Sequence, residues 1–147
     1  MCSSDLEAGA RAVKWLPNSQ GIDPASHSCV PFYRRLAELG LPLISHGGKE
    51  YAATAAHVQE YGNPLRLRRA LDHGVRVVVA HCAGFGSSED LDLPEGQRRA
   101  RSSFDLFLRM MAEPQYEGLL FGDVSADRKS TRLNSSHSQQ SRMPSSA

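Results

Sequence analysis

Two apolar runs in this 147-residue chain finish on a histidine: LPLISHGG (41–48) delivers His46, and VRVVVAHCAG (75–84) delivers His81. A buried strand has no packing reason to end in an imidazole. Neutral imidazole is a good ligand for Zn2+ and similar divalent cations, and it exchanges a proton near neutral pH. Two more polar residues occupy comparable runs: Lys14 inside RAVKWLP (11–17) and Asp123 near the end of EGLLFGDVSA (117–126). Taken singly, each histidine also fits a core residue hydrogen-bonded to a neighbouring carbonyl. The chemistry sharpens only if the surrounding elements bring the two rings together.

Those elements alternate. Strands are expected over 11–17, 41–48, 75–84 and 117–126, and helices over 31–40, 63–74 and 103–113. Pro31 suits a first helical turn, and Gly40 a C-terminal cap behind Phe32, Leu36 and Leu39. Asn63 followed by Pro64 opens the second helix and Gly74 closes it, with Leu65, Leu67 and Leu71 inward and Arg66, Arg69 and Asp72 toward water. Phe104, Phe107, Leu108 and Met111 give the third helix its apolar spacing. Strand–helix alternation at this rhythm predicts an α/β fold with a parallel sheet. Near-continuous Val and Leu fits a sheet covered on both faces. All C-terminal strand ends of a parallel sheet point to one side, so His46 and His81 converge on one rim. Gly47, Gly48 and Gly84 let backbone and substrate approach there. The long connections 47–62 and 84–102 follow strands, where functional loops sit, and 84–102 is expected to lid the site.

Bulk properties exclude several classes. Net charge is +1, which favours neither a nucleic-acid binder nor a membrane-surface protein. No apolar run approaches the ~20 residues of a membrane span, and no secretory leader is evident. Three cysteines, Cys2, Cys29 and Cys82, lack CxxC spacing, the pattern of reduced thiols in a cytoplasmic protein. From Asp127 the composition turns to Ser, Gln and Arg with almost nothing large and apolar, that of a disordered tail. The codons that write DRKSTRLNSSH and SRMPSSA resemble a short-read sequencing adapter. The bases that write MCSSDL from a GTG start are the reverse complement of those opening the tail. Two unrelated natural ends are not antisense copies of one another. Residues 1–6 and 127–147 are therefore read as translated adapter, a metagenomic-type artefact, and 7–126 as the natural domain. Cys2 and His137 leave the candidate list with them.

AVKWLPNSQGIDP, PLISHGGKE, GNPLRLRRALDHGVRVVVAHCAG and YEGLLFGDVSA together resemble the metal-dependent hydrolases of the amidohydrolase superfamily, in the branch that also holds decarboxylases and lactonases. The resemblance spans nearly all of 10–126 and is strongest over 63–84. It implies a (β/α)8 barrel with a divalent metal, zinc by preference, at the C-terminal strand ends, acting on a small-molecule substrate. LISHG matches the fifth strand, which makes His46 a metal ligand. VVVAHCAG matches the sixth, which makes His81 a ligand or the catalytic group that positions water. AVKWLP resembles the fourth, where some members carry a metal-bridging carboxylated lysine. For Lys14 a structural or substrate-facing role weighs more. LLFGDVSA resembles the seventh, which places Asp123 beside the site without binding metal. The family's first-strand His-x-His pair and eighth-strand aspartate have no counterpart here. A full barrel takes about 250 residues and at least about 200. The chain is thus expected to be a partial barrel, about strands four to seven, inactive by itself. The parent would hydrolyse an amide, ester or lactone through a metal-activated water, or decarboxylate on the same metal.

The alternative from another class is a small non-catalytic α/β ligand-binding domain. It calls for a glycine-rich phosphate loop, to which GFGSSED (84–90) bears only a partial likeness. Remaining candidates have plainer readings. Arg66, Arg68 and Arg69 form a solvated helix face rather than an anion site. Cys82 is core by strand alternation rather than a nucleophile. His27 and Cys29 lie in the loop after the first strand, and His57 and His73 are exposed. Trp15 packs under the helices. Asn18, Ser19 and Gln20 end the first strand within reach of substrate.

Overall fold

A computed structural model describes residues 9–51 and 58–125. The readings made for residues 1–6, for the tail 127–147 with His137, and for His57 lie outside the described residues. In chain order the elements are β1 (Val13–Trp15), α1 (Pro17–Gln20), α2 (Val30–Glu38), β2 (Leu43–His46), α3 (Arg68–Asp72), β3 (Val77–Ala80), β4 (Ser87–Glu89), β5 (Ala100–Ser102), α4 (Ser103–Met111) and β6 (Leu120–Gly122). β1, β2, β3 and β6 form one parallel sheet in that order. Val13, Leu43, Val77 and Leu120 share one row across it, and Lys14, Ile44, Val78 and Phe121 the next. Parallel strands joined through helices make this an α/β fold of the partial (β/α)8-barrel kind.

The core lies on one face of the sheet. Leu43, Ser45, Val77 and Val79 are fully buried there, with Trp15 and Leu120 almost so, under Tyr33, Leu36, Leu67, Leu71, Leu106, Phe107 and Met110. The Trp15 indole donates to Ser45 Oγ at 2.7 Å and meets Tyr33 edge-on, so its polar end is satisfied in the interior. On the opposite face Ile44 and Val78 are half-buried, Lys14 is exposed and Phe121 is 45% exposed. The expected cover on both faces is thus present on one among the described residues. A run of Val and Leu records that both faces are apolar, not which face has found a partner.

Local signals hold at the helix ends. Asn63 Oδ1 accepts from the Leu65 amide, and its Nδ2 donates to Glu89 O at 2.7 Å. The first turn of that helix is 3-10 (Pro64–Leu67) before α3. Gly40 and Gly74 both take positive φ, as C-terminal caps do. Three expectations are corrected, for the first strand, for α4 and for Arg66 and Arg69. The first strand ends at Trp15, and Asn18 to Gln20 belong to α1, which begins at Pro17. In α4 the buried stripe is Leu106, Phe107 and Met110, while Leu108 and Met111 are exposed. FDLFLRMM is apolar around most of its circumference, so spacing leaves the rotation open. Arg109 settles it by reaching Asp90 through two hydrogen bonds, 2.6 and 2.9 Å. The connection 84–102 contains the antiparallel pair β4–β5. It is tied down by Asp90, which is fully buried against Arg109 and 3.1 Å from Arg101, and by Asp92 with Arg68. Arg66 and Arg69 are likewise half-buried clamps, Arg66 on Asp23 at 2.9 Å and Arg69 on the Ala25 carbonyl.

Candidate functional site

The parallel register puts the C-terminal ends of β2 and β3 side by side, with His46 paired to Ala80. His46 is the last residue of its strand and His81 follows directly on Ala80. Their rings lie 4.7 Å apart edge to face, and His81 Nε2 is 3.0 Å from His46 Nδ1. The convergence expected from the sequence is therefore present. Phe85 covers the other side of His81, its ring 4.8 Å away.

The backbone that aims His81 is unusual. His81, Cys82 and Ala83 have φ of 42°, 50° and 52°, three consecutive non-glycine residues in the left-handed region. Each such residue costs roughly 1–2 kcal/mol against the right-handed form. The turn is closed by the Gly84 amide donating to His81 O at 2.8 Å. Strand alternation therefore ends at Ala80, and the face assigned to Cys82 by alternation does not apply. The thiol donates to Asp123 O at 3.3 Å and packs beside Gly122, which leaves it half-buried as part of the scaffold. Cys29 is buried in the core and donates to Asp23 O. Neither cysteine is in a disulfide.

Burial is the main influence on both imidazoles and pushes both pKa values down. For His46 the Glu50 carboxylate opposes this in part and Lys14 adds to it; for His81 the neighbouring His46 adds to it. Both rings are thus neutral at pH 7, the form that binds metal. His46 Nε2 and His81 Nδ1 are buried without a hydrogen-bond partner. A buried nitrogen with an unused lone pair or proton costs stability unless something occupies it. The nitrogens that face each other, His46 Nδ1 and His81 Nε2, lie 3.0 Å apart, a separation that two ligands of one divalent cation can take, and His46 and His81 would supply two of its ligands. Among the described residues no group of three or more His, Cys, Asp and Glu is arranged to hold one.

Lys14 and Asp123 flank the pair without a side-chain hydrogen bond to either ring. Lys14 is exposed and shares a sheet face with Ile44 and His46. The Asp123 carboxylate accepts from the Ser125 amide at 2.9 Å and hydroxyl at 2.5 Å, which holds its pKa below the usual range. Asn18, read as a substrate contact, is fully buried and donates to Gly48 O and to both Gln59 oxygens at 3.1–3.2 Å. His27 is exposed.

Sequence reasoning passed over Glu50. It is buried, with Oε2 3.5 Å from His46 Nδ1. The signal was a carboxylate four residues after the histidine across a Gly-Gly turn. Gly48, at φ +82°, lies so close to Phe85 O that a Cβ would meet it at 2.5 Å. Only glycine permits that approach, which folds Glu50 back toward the ring.

A family model described as Amidohydrolase matches residues 4–113, a span that holds Lys14, His46 and His81. No curated protein and no solved structure matches the chain. No helix among the described residues is long and apolar enough to cross a membrane.

Proposed function

Because this chain belongs to the amidohydrolase family, we propose that residues 7–126 are the central part of a metal-dependent hydrolase acting on an amide, ester or lactone of a small molecule. The observation that carries this reading is the neutral pair His46–His81 at one strand-end rim, with His46 Nδ1 and His81 Nε2 facing each other at 3.0 Å. His46 and His81 would hold a divalent cation, zinc by preference. Bound there, the cation supplies Lewis-acid polarisation of a carbonyl and acidifies water. His81, fixed by its left-handed turn, orients the attacking water and exchanges its proton. Lys14, on the same sheet face, and Asp123, at the edge, meet the polar parts of the substrate. Phe85 keeps bulk water from one side of His81. Catalytic zinc sites take three protein ligands. With two, the chain by itself binds metal weakly and does not turn over, and the remaining strands of the barrel supply the rest. The reduced cysteines support a cytoplasmic setting, and the balanced charge favours neither nucleic-acid nor membrane partners.

The test is zinc content by mass spectrometry after equilibration, for the chain and for His46→Ala and His81→Ala. Bound zinc lost in both variants is expected. Zinc retained in both, or none in the parent chain, overturns the reading. Assays on amides, esters, lactones and aromatic carboxylic acids with the longer protein then separate hydrolysis from decarboxylation.

A further inference from the structure

We infer that the connections after β2 and β3 form a small pocket that binds the carboxylate end of a polar monoanion, such as a hydroxy acid, through Lys49. This rests on the hydrolase reading only for calling the occupant a substrate, not for its geometry.

A cavity of about 250 Å3 is lined by Lys49 and Gln59 from the connection after β2, by Asn63 and Arg66 around the start of the next helix, and by Ser87 and Ser88 from β4. That is the liquid volume of about eight water molecules, room for a small acid rather than a drug-sized ligand. Most of the polar wall is already engaged. Asn63 accepts from the Leu65 amide and donates to Glu89 O. Gln59 spends its side-chain amide on both backbone groups of Glu50. Arg66 pairs with Asp23 at 2.9 Å and lies over the Tyr61 ring, and Ser88 shares a hydrogen bond with Ser103. Lys49 Nζ and Ser87 Oγ differ: among the described residues neither has a hydrogen bond or an ion pair. Lys49 is nonetheless half-buried. Its stem lies along Gly86, where a Cβ would meet Lys49 Cγ at 2.6 Å. Glycine at that position, with φ of +74°, is what makes room for the lysine. A half-buried ammonium without a counter-ion has lost part of its hydration with nothing in exchange, and an incoming anion restores the balance.

The surrounding charge selects the kind of anion. Glu60 and Glu89 also line the cavity. Each is loosely paired, Glu60 with Arg66 at 3.9 Å and Glu89 with Arg98 at 3.8 Å. Lys49 and Arg66 against Glu60 and Glu89 leave the lining neutral. A dianionic phosphate therefore meets a repulsion that a single carboxylate largely escapes. The segment GFGSSED, with its partial likeness to a phosphate loop, forms β4 and pairs with β5 instead of opening a helix. Ser87 Oγ is left to meet a hydroxyl or carbonyl of the occupant. The position suits the remote end of a substrate. Lys49 follows shortly on His46, and its amide donates at 2.9 Å to the carbonyl of Phe85, whose ring packs against His81. The two connections that carry the pocket are thus tied to the strand ends that carry the histidines.

The experiment is a proton–nitrogen correlation NMR titration of the 15N-labelled full chain at neutral pH with sodium glycerate, with a chelator present so that metal plays no part. Glycerol and sodium phosphate are titrated in parallel. Saturable shifts of the Lys49, Gln59 and Ser87 amides are expected with glycerate, none with glycerol and weaker ones with phosphate. Lys49→Gln removes the charge and should weaken glycerate binding about 10- to 100-fold, the worth of a hydrogen bond to a charged group. Ser87→Ala should weaken it less. The absence of saturable shifts with glycerate overturns the inference, as do equal shifts with glycerol, tighter binding of phosphate, or unchanged affinity in a folded Lys49→Gln variant. If Lys49→Gln fails to fold, the preference for glycerate over glycerol and phosphate in the parent chain decides. Glycerate binding to a chain that takes up no zinc would sink the metal reading and leave the pocket standing. Zinc uptake without glycerate binding would do the reverse.

Discussion

Along β2, Leu43 and Ser45 are fully buried while Ile44 between them is half-buried; along β3, Val77 and Val79 are fully buried and Val78 is not. The edge strand β6 goes further, with Leu120 buried and Phe121 45% exposed. Neighbouring residues of nearly equal hydrophobicity thus meet different surroundings on the two faces of one sheet. One face is closed by α2, α3 and α4. The other carries Lys14, Ile44, Val78 and Phe121 and leads up to His46. In a closed barrel this second face is the packed interior. The difference teaches that the stability of the described fold resides on one side of the sheet, and the candidate chemistry at the rim of the other.

Paired substitutions on β2 break this comparison most sharply. Leu43→Ala should cost about 2–5 kcal/mol, the range for a fully buried leucine, and Ile44→Ala less than half of that in urea melts. Equal losses would mean that the open face is covered in solution. Next comes the anchor of the covered side, Asp90, which Arg109 holds down at a pKa of about 2 against an ordinary 3.8. Because the folded pKa is the lower one, its contribution is fully present above about pH 4 and is lost as pH falls through 3.8 toward 2. Asp90→Asn should remove about 2 kcal/mol at neutral pH and flatten stability across that acid window, as thermal melts at stepped pH would show. The smallest effect belongs to the open face: Phe121→Ser should change stability by no more than about 0.5 kcal/mol. A drop comparable to that of Leu43→Ala would show Phe121 packed against a partner.

Much of this was legible beforehand. The four strands, their parallel sense and the convergence of His46 and His81 follow from apolar runs alternating with capped helices, since capping and periodicity are local. What was not legible depended on contacts distant in sequence. The rotation of α4 waits on Arg109 finding Asp90. The shortness of β1 reflects Pro17 opening a helix where a strand was expected to continue. The placement of Glu50 beside His46 is set by Gln59, nine residues on, and through it by Asn18, far back along the chain. The left-handed turn at His81–Ala83 lay outside any pattern, since Cys and Ala carry no preference for it.

That turn bears on the handedness of the chain itself. At His81, Cys82 and Ala83 the backbone follows angles that residues of the opposite chirality would take up unforced. The protein thus presents its second imidazole from a stretch where its own stereochemistry is worked against. That conformation lasts only while β3, β6 and the Gly84 closure hold it. A short peptide of the same residues would relax to the right-handed form and lose the aim of the ring, so the site is a property of the assembled sheet rather than of the motif.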